Sequence, residues 1–154
     1  MTDEDREAYT GRPLDVATLD ALAQRVEGHP LVDDWAFQPD SMSPRRLELH
    51  LDADQYLASV DTARLDVRWF DGGDYTVHYL ETRRDDVWQC RWDRHPKPDA
   101  PRAHFHPPPD ASTDVEPSTI ESTYHLEVLF TVLDWVTERV QRLPESRRES
   151  RRSQ

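Results

Sequence analysis

The sequence predicts an α+β domain: an antiparallel, curved β-sheet built as a meander, packed against a long C-terminal helix, with a short N-terminal helix. Three observations lead there. Runs of alternating apolar and polar residues fill the middle of the chain, turn-forming clusters separate those runs at hairpin spacing, and one apolar stripe at spacings of three and four closes the chain. At 154 residues there is enough chain for one core that buries about two-thirds of the unfolded surface.

Residues 1–12 are polar and charged and are expected to form a disordered end. The single domain is expected over 13–144. It opens with Leu14, Val16 or Ala17, Leu19, Leu22, Ala23 and Val26 at helical spacing, with Pro13 suited to a first turn and Gly28 to a stop. Strand-like runs follow from Val32 to Phe37 and from Arg46 to Leu51, separated by the turn-forming Pro39–Pro44. In the second run Leu47, Leu49 and Leu51 alternate with Glu48, His50 and Asp52, the period of a half-buried strand. Residues 53–62 read as a connection with a helical turn.

The central run is a three-strand meander. Leu65, Val67 and Trp69 alternate with Arg64, Asp66 and Arg68; then Asp71-Gly72-Gly73-Asp74 turns the chain, because paired glycines accept positive φ. A strand from Tyr75 to Thr82 and another from Val87 to Arg94 flank a turn at Arg83–Asp86. With Arg84-Asp85 as the tip, Tyr79 lies opposite Cys90, Val77 opposite Trp92 and His78 opposite Arg91. One face is then Tyr75, Val77, Tyr79, Trp88, Cys90 and Trp92; the other carries Thr76, His78, Gln89, Arg91 and Asp93. A one-residue slip would desolvate Arg91 and Asp93 at a cost of several kcal/mol, which secures the register.

Beyond it, prolines hold the stretch from Arg91 to Pro109 extended and out of a central strand. Residues 110–117 read as a polar loop. The strongest helix is marked by Leu126, Leu129, Phe130, Leu133, Val136, Val140 and Leu143, opened by Ser122 or Thr123 as cap and closed before Pro144. Residues 145–154 are expected to form a disordered charged tail.

Composition narrows the setting. The net charge is −12, and Lys97 is the only lysine among 19 basic residues. Aspartate-rich, lysine-poor surfaces resemble those of salt-adapted cytoplasmic proteins, where concentrated salt screens charge over about 3 Å and the acidic total says little about partners. The single Cys90 excludes an internal disulfide and a multi-cysteine zinc site. No apolar run approaches the roughly 18 residues of a membrane span, and no basic then apolar leader is present, so a cytoplasmic protein is expected.

Chemistry concentrates in Arg91–Pro96 and Pro101–Pro109, which hold three of the seven histidines. His104 and His106 point to one side of any strand, because its period is two. Imidazoles exchange protons near neutral pH and a guanidinium holds phosphate with a planar fork. Together they form a kit for cleaving RNA without a metal, with His104 and His106 transferring protons, Arg91 binding phosphate and Asp93 orienting a histidine. His95 and His78 complete the candidate set, and no cofactor is implied. The same residues admit a metal site, with His95, His104 and His106, or Asp93, as ligands. They also admit structural histidines bonded to loop carbonyls. A Gly-rich phosphate loop, a His-Glu-x-x-His motif and a nucleophile elbow are all missing.

At these residues the sequence resembles the TumE-type toxin family of toxin–antitoxin pairs, in its branch from salt-loving archaea. The resemblance runs from about Val32 to Leu143. It rests on Tyr75–Tyr79 with His78 inside it, on Arg91-Trp92-Asp93 leading to His95-Pro96, and on His104-Phe105-His106-Pro107 followed by a terminal helix. The family's commoner form has Arg-Trp-Asp-Asn before a histidine and proline segment ending in His-x-His. Here Arg94 replaces the asparagine, and Ala103 and Phe105 stand where more polar residues are usual, while Arg91, Asp93, His104 and His106 match. The resemblance implies a small growth-inhibiting toxin neutralised by a partner protein, often a helix-turn-helix antitoxin encoded alongside. Ribonuclease chemistry comes from the residues alone.

Overall fold

The computed structural model describes residues 12–56, 59–96 and 101–152, with side chains in the last helix described as far as residue 143. Seven strands lie in chain order in one antiparallel sheet: β1 (Val32–Gln38), β2 (Arg46–Leu51), β3 (Thr62–Trp69), β4 (Tyr75–Arg83), β5 (Asp86–Arg94), β6 (Ala103–His106) and β7 (Glu116–Pro117). Helix α1 (Val16–Val26) precedes the sheet and α2 (His125–Arg152) follows it. The α+β meander expected from the sequence is the fold observed.

Helix α1 starts later than Pro13 suggests. Asp15 caps it, accepting from the Thr18 N–H at 3.0 Å, while Leu14 bridges to Phe70. Leu19, Leu22, Ala23 and Val26 are its buried stripe, and Gly28 follows at φ +85°. A 3-10 turn at Ala53–Gln55 supplies the helical turn expected in the β2–β3 connection.

The β4–β5 register matches the one counted from the turn: Tyr79 faces Cys90, Val77 faces Trp92 and His78 faces Arg91. Parity then sorts the sheet. Leu47, Leu49, Leu65, Val67, Tyr75, Val77, Tyr79, Cys90 and Trp92 are all buried on one side, against α1 and α2. Burial of each large side chain there stabilises the fold by about 1.5–3 kcal/mol.

Three expectations are corrected beyond β5. The proline-rich stretch does not stay out of the sheet: Pro101 and Pro107 bracket a proline-free window, whose free N–H groups let Ala103–His106 pair between β5 and β7. The loop expected over 110–117 ends as β7, an edge strand where Pro117 needs no ladder bond on its outer side. Helix α2 begins at His125 rather than directly after Ser122 or Thr123, with Ser122 accepting from the Tyr124 N–H at 3.1 Å, and its backbone continues past Pro144, which removes one hydrogen bond without ending the helix.

Its buried face is also rotated from the expected stripe. Val128, Leu129, Val132, Leu133, Val136 and Val140 are buried, whereas Leu126, Phe130 and Leu143 are only partly so. Trp135 inserts edge-on between Tyr79 and Trp92, with ring centroids at 5.6 and 5.0 Å. Of the segments expected to be disordered, 1–11 and 153–154 lie outside the described residues, as do the side chains from 144 onward.

Candidate functional site

The face away from the helices is lined by ionisable side chains in register. One row crosses the sheet as Glu48, Asp66, His78, Arg91 and His106, and the adjacent row as Arg68, Thr76, Asp93 and His104. Several of these groups are buried despite their polarity: Glu48, Asp66, Arg68, Asp93, His104 and His106. Each buried carboxylate must therefore have a partner, since an unpaired one would shed its charge or unfold the sheet locally.

Asp93 is the hub. Its side chain is 1 % exposed, and the Arg91 Nε donates to both carboxylate oxygens at 3.0 Å. The Nε2 atoms of His106, His104 and His95 stand 2.9, 3.6 and 3.7 Å from the same oxygen, Oδ2. Burial alone would push the Asp93 carboxyl up, but the three imidazoles and the Arg91 guanidinium hold it well below the usual carboxylate range, so it is an anion. In turn, Asp93 raises the His95 imidazole, against the opposing effect of burial. Arg91 Nη2 also reaches His106 Nε2 at 3.1 Å.

Strand pairing explains the convergence. Asp93 lies opposite His104, Arg91 lies opposite His106, and His95 follows one residue beyond the end of β5. The far side of each ring meets the backbone: His95 Nδ1 at the Pro96 carbonyl (3.0 Å), His104 Nδ1 at the Pro101 carbonyl (3.3 Å) and His106 Nδ1 at the Ser112 carbonyl (2.8 Å). Asp74, 2 % exposed, clamps the entry to β6, accepting from Arg94 Nη1 at 2.8 Å and from Arg102 Nη2 at 2.9 Å.

Of the six residues nominated from the sequence, Arg91, Asp93, His95, His104 and His106 come together. His78 stands one strand away opposite Arg91, its Nε2 2.8 Å from Gln89 Oε1. Exposure divides the cluster: the side chains of Arg91 and His95 are each 15 % exposed, His106 is 6 % and His104 is 0 %. Asp93, His104 and His106 present donor atoms within 4.8 Å of one another, the spacing a metal ion could bridge.

Sequence reasoning missed a second feature of this face. A hollow of about 350 Å³ is lined by Gln38, Pro39, Arg45, Arg46 and Arg68. By register Arg68 lies two strands from Asp93, through Thr76. The signal was the shared strand parity of Arg46, Arg64, Arg68 and Arg91, which puts four guanidiniums on one side. The Asp74–Arg102 clamp had no sequence signal, because 28 residues separate its partners.

A family model described as Toxin TumE matches residues 19–140, from α1 through the whole sheet into α2. No curated protein and no solved structure matches the chain.

Proposed function

The chain belongs to the TumE toxin family, and from that premise we propose that it is the toxin of a toxin–antitoxin pair whose target is RNA, which it cleaves. The observation that carries this is the joint presence, on one sheet face, of the arginine-lined hollow and the Arg91–His95 edge of the buried cluster. Guanidiniums in the hollow hold one phosphate of a strand, while Arg91 takes the phosphate at the site of cleavage. His95 is the imidazole that solvent reaches, so proton exchange with the substrate falls to it. His104 and His106, the pair expected from the sequence to move protons, stand behind Asp93 and hold it in place.

The partner is a cognate antitoxin, a helix-turn-helix protein in the form the resemblance implies, binding over the same face. The setting is the cytoplasm of a salt-loving archaeon, in keeping with an aspartate-rich surface and a single lysine.

Purified chain incubated with single-stranded RNA tests this directly. Cleavage by the parent protein, its loss in His95→Gln with binding retained, and weaker binding in Arg45→Glu with the turnover of bound RNA unchanged are the expected results. Intact RNA alongside growth arrest in cells would move toxicity to a different target. No arrest without the antitoxin would leave a binding domain.

A further inference from the structure

We propose that Asp93, His95, His104 and His106 form a binding site for one divalent transition-metal ion of the zinc class, held by Asp93 Oδ2 and the three Nε2 atoms. The site shares His95 with the proposed cleavage edge, so proton exchange falls to that ring only in the ion-free chain, and the two readings are tested separately.

Tautomer chemistry is the first support. Each of the three Nδ1 atoms faces a backbone carbonyl, an acceptor with no hydrogen to give, at 3.0, 3.3 and 2.8 Å for His95, His104 and His106. The ring hydrogen therefore sits on Nδ1, and a neutral ring presents a bare lone pair at Nε2. All three Nε2 atoms are aimed at one carboxylate, itself only an acceptor, so without an ion each ring holds Asp93 as an anion only by carrying a proton at Nε2. Donation from all three Nε2 atoms instead would put three imidazolium cations beside Arg91 around a single buried anion. A divalent cation at the centre removes the conflict, and ring N–H groups donating to carbonyls are the outer support that metal-bound histidines commonly have.

An independent observation agrees. His104 is 0 % exposed and its Nε2 has no hydrogen-bond partner among the described residues. Buried nitrogens are rarely left this way, so an orphan aimed into a cluster of ligand-type atoms points to a missing ligand.

Distances supply the third support. A tetrahedral ion with bonds of about 2.0–2.1 Å has ligand–ligand edges of about 3.4 Å. The three edges from Asp93 Oδ2 are 2.9, 3.6 and 3.7 Å, and Asp93, His104 and His106 present ligand atoms within 4.8 Å of one another, so these three draw in on the ion and His95 swings in from the rim as the fourth ligand. Arg91 keeps Oδ1 and gives up its 3.1 Å contact with His106 Nε2. Nitrogen ligands in the majority favour zinc, cobalt or nickel over magnesium or calcium. Three of the four ligands are almost wholly buried, and only His95 lies at solvent, so the ion enters from that side.

The test uses tag-free full-length chain, stripped with a chelator and titrated with cobalt(II), whose tetrahedral complexes absorb strongly in the visible. One cobalt per chain with a tetrahedral spectrum, displaced by zinc, is expected. His104→Ala should abolish that spectrum. His95→Ala, at the accessible rim where folding is least at risk, should weaken affinity by at least the roughly 10–100-fold that even supporting groups contribute. His50→Ala, on the exposed end of β2, should bind as the parent does. An absent or octahedral signal, or a tetrahedral one that survives both cluster variants, would overturn the site. RNA cleavage without cobalt binding would sink the metal site and spare the ribonuclease; cobalt binding without cleavage would do the reverse.

Discussion

Glu81 lies on the apolar side of the sheet with no exposed surface, a position where an unpaired carboxylate could not stay charged. It stays because three groups converge on it: the Tyr79 hydroxyl at 2.5 Å, Arg83 Nη2 at 3.2 Å and the Arg139 guanidinium, which reaches down from α2 with Nη2 at 2.9 Å. Arg139 also lies 3.3 Å over the Trp88 ring, so its charge is spent on two partners at once. A buried pair of this kind is costly to break and cheap to replace whole. Arg139→Met should destabilise the fold by about 3 kcal/mol, because the carboxylate is then stranded, whereas the double variant Glu81→Leu with Arg139→Met should recover most of that loss. Denaturant unfolding of the two single variants and the double variant reads the coupling directly. Additive losses would mean that Arg139 acts through packing on Trp88 alone. Cys90, fully buried on the same face with its thiol pushed up by burial, is a core residue rather than a nucleophile.

Strand β6 is short and flanked by prolines, and its position depends on the Asp74 clamp, which ties the turn after β3 to Arg94 at the end of β5 and to Arg102 just before β6. Asp74→Ala should cost about 1.5–3 kcal/mol, the range for hydrogen bonds to charged groups, and should speed amide exchange in Ala103–His106 ahead of β3 and β4. Unchanged exchange in β6 would show that its ladder with β5 suffices. The same strand marks where legibility ended. The β4–β5 hairpin could be counted from its turn and its alternation, because both signals are local and Trp92 and Asp93 cannot trade faces. The four residues of Ala103–His106 are too few to show a period, and their partner strand is chosen by contacts far along the chain, so β6 was not visible as a strand. His104 and His106 could still be assigned to one side, since parity holds in any extended chain. What converges on their rings was beyond the sequence, because the groups behind them are the carbonyls of Pro96, Pro101 and Ser112, and every residue type carries one. Helix α2 shows the limit for helices: spacings of three and four fit two overlapping stripes, and packing around Trp135 chose the one with Val128 and Val132.

Across the molecule, the acidic total and the internal charges are separate matters. Among the described residues the buried carboxylates are Glu48, Asp66, Asp74, Glu81 and Asp93, and each has an arginine within 3.2 Å. Arginine suits this use because its planar fork satisfies a carboxylate with little residual solvation, which lysine does not. The excess of negative charge is thus carried outside the core, where salt screens it. Raising KCl from 0.1 to 2 M should raise the melting temperature, and a flat or falling curve would remove the salt-adapted setting. Alkali acts on the interior instead. Burial pushes the Tyr75 hydroxyl up from 10.0 to about 12, with Asp93 adding to the rise and Arg94 opposing it; burial pushes Tyr56 and Tyr79 higher still. Unfolded tyrosine loses its proton near pH 10, so between about pH 10 and 12 the unfolded chain binds fewer protons than the folded one and stability falls as pH rises. The stabilisation is whole below pH 10, and about two pH units at about 1.4 kcal/mol each put the full loss from Tyr75 alone near 3 kcal/mol, most of it reached by pH 12. Absorbance near 295 nm, followed together with circular dichroism, should show these three tyrosines ionising in step with unfolding. Reversible ionisation of every tyrosine near pH 10 in a chain that is still folded would mean that the sheet and α2 admit water, and that the tyrosine hydroxyls at their interface are not buried as described.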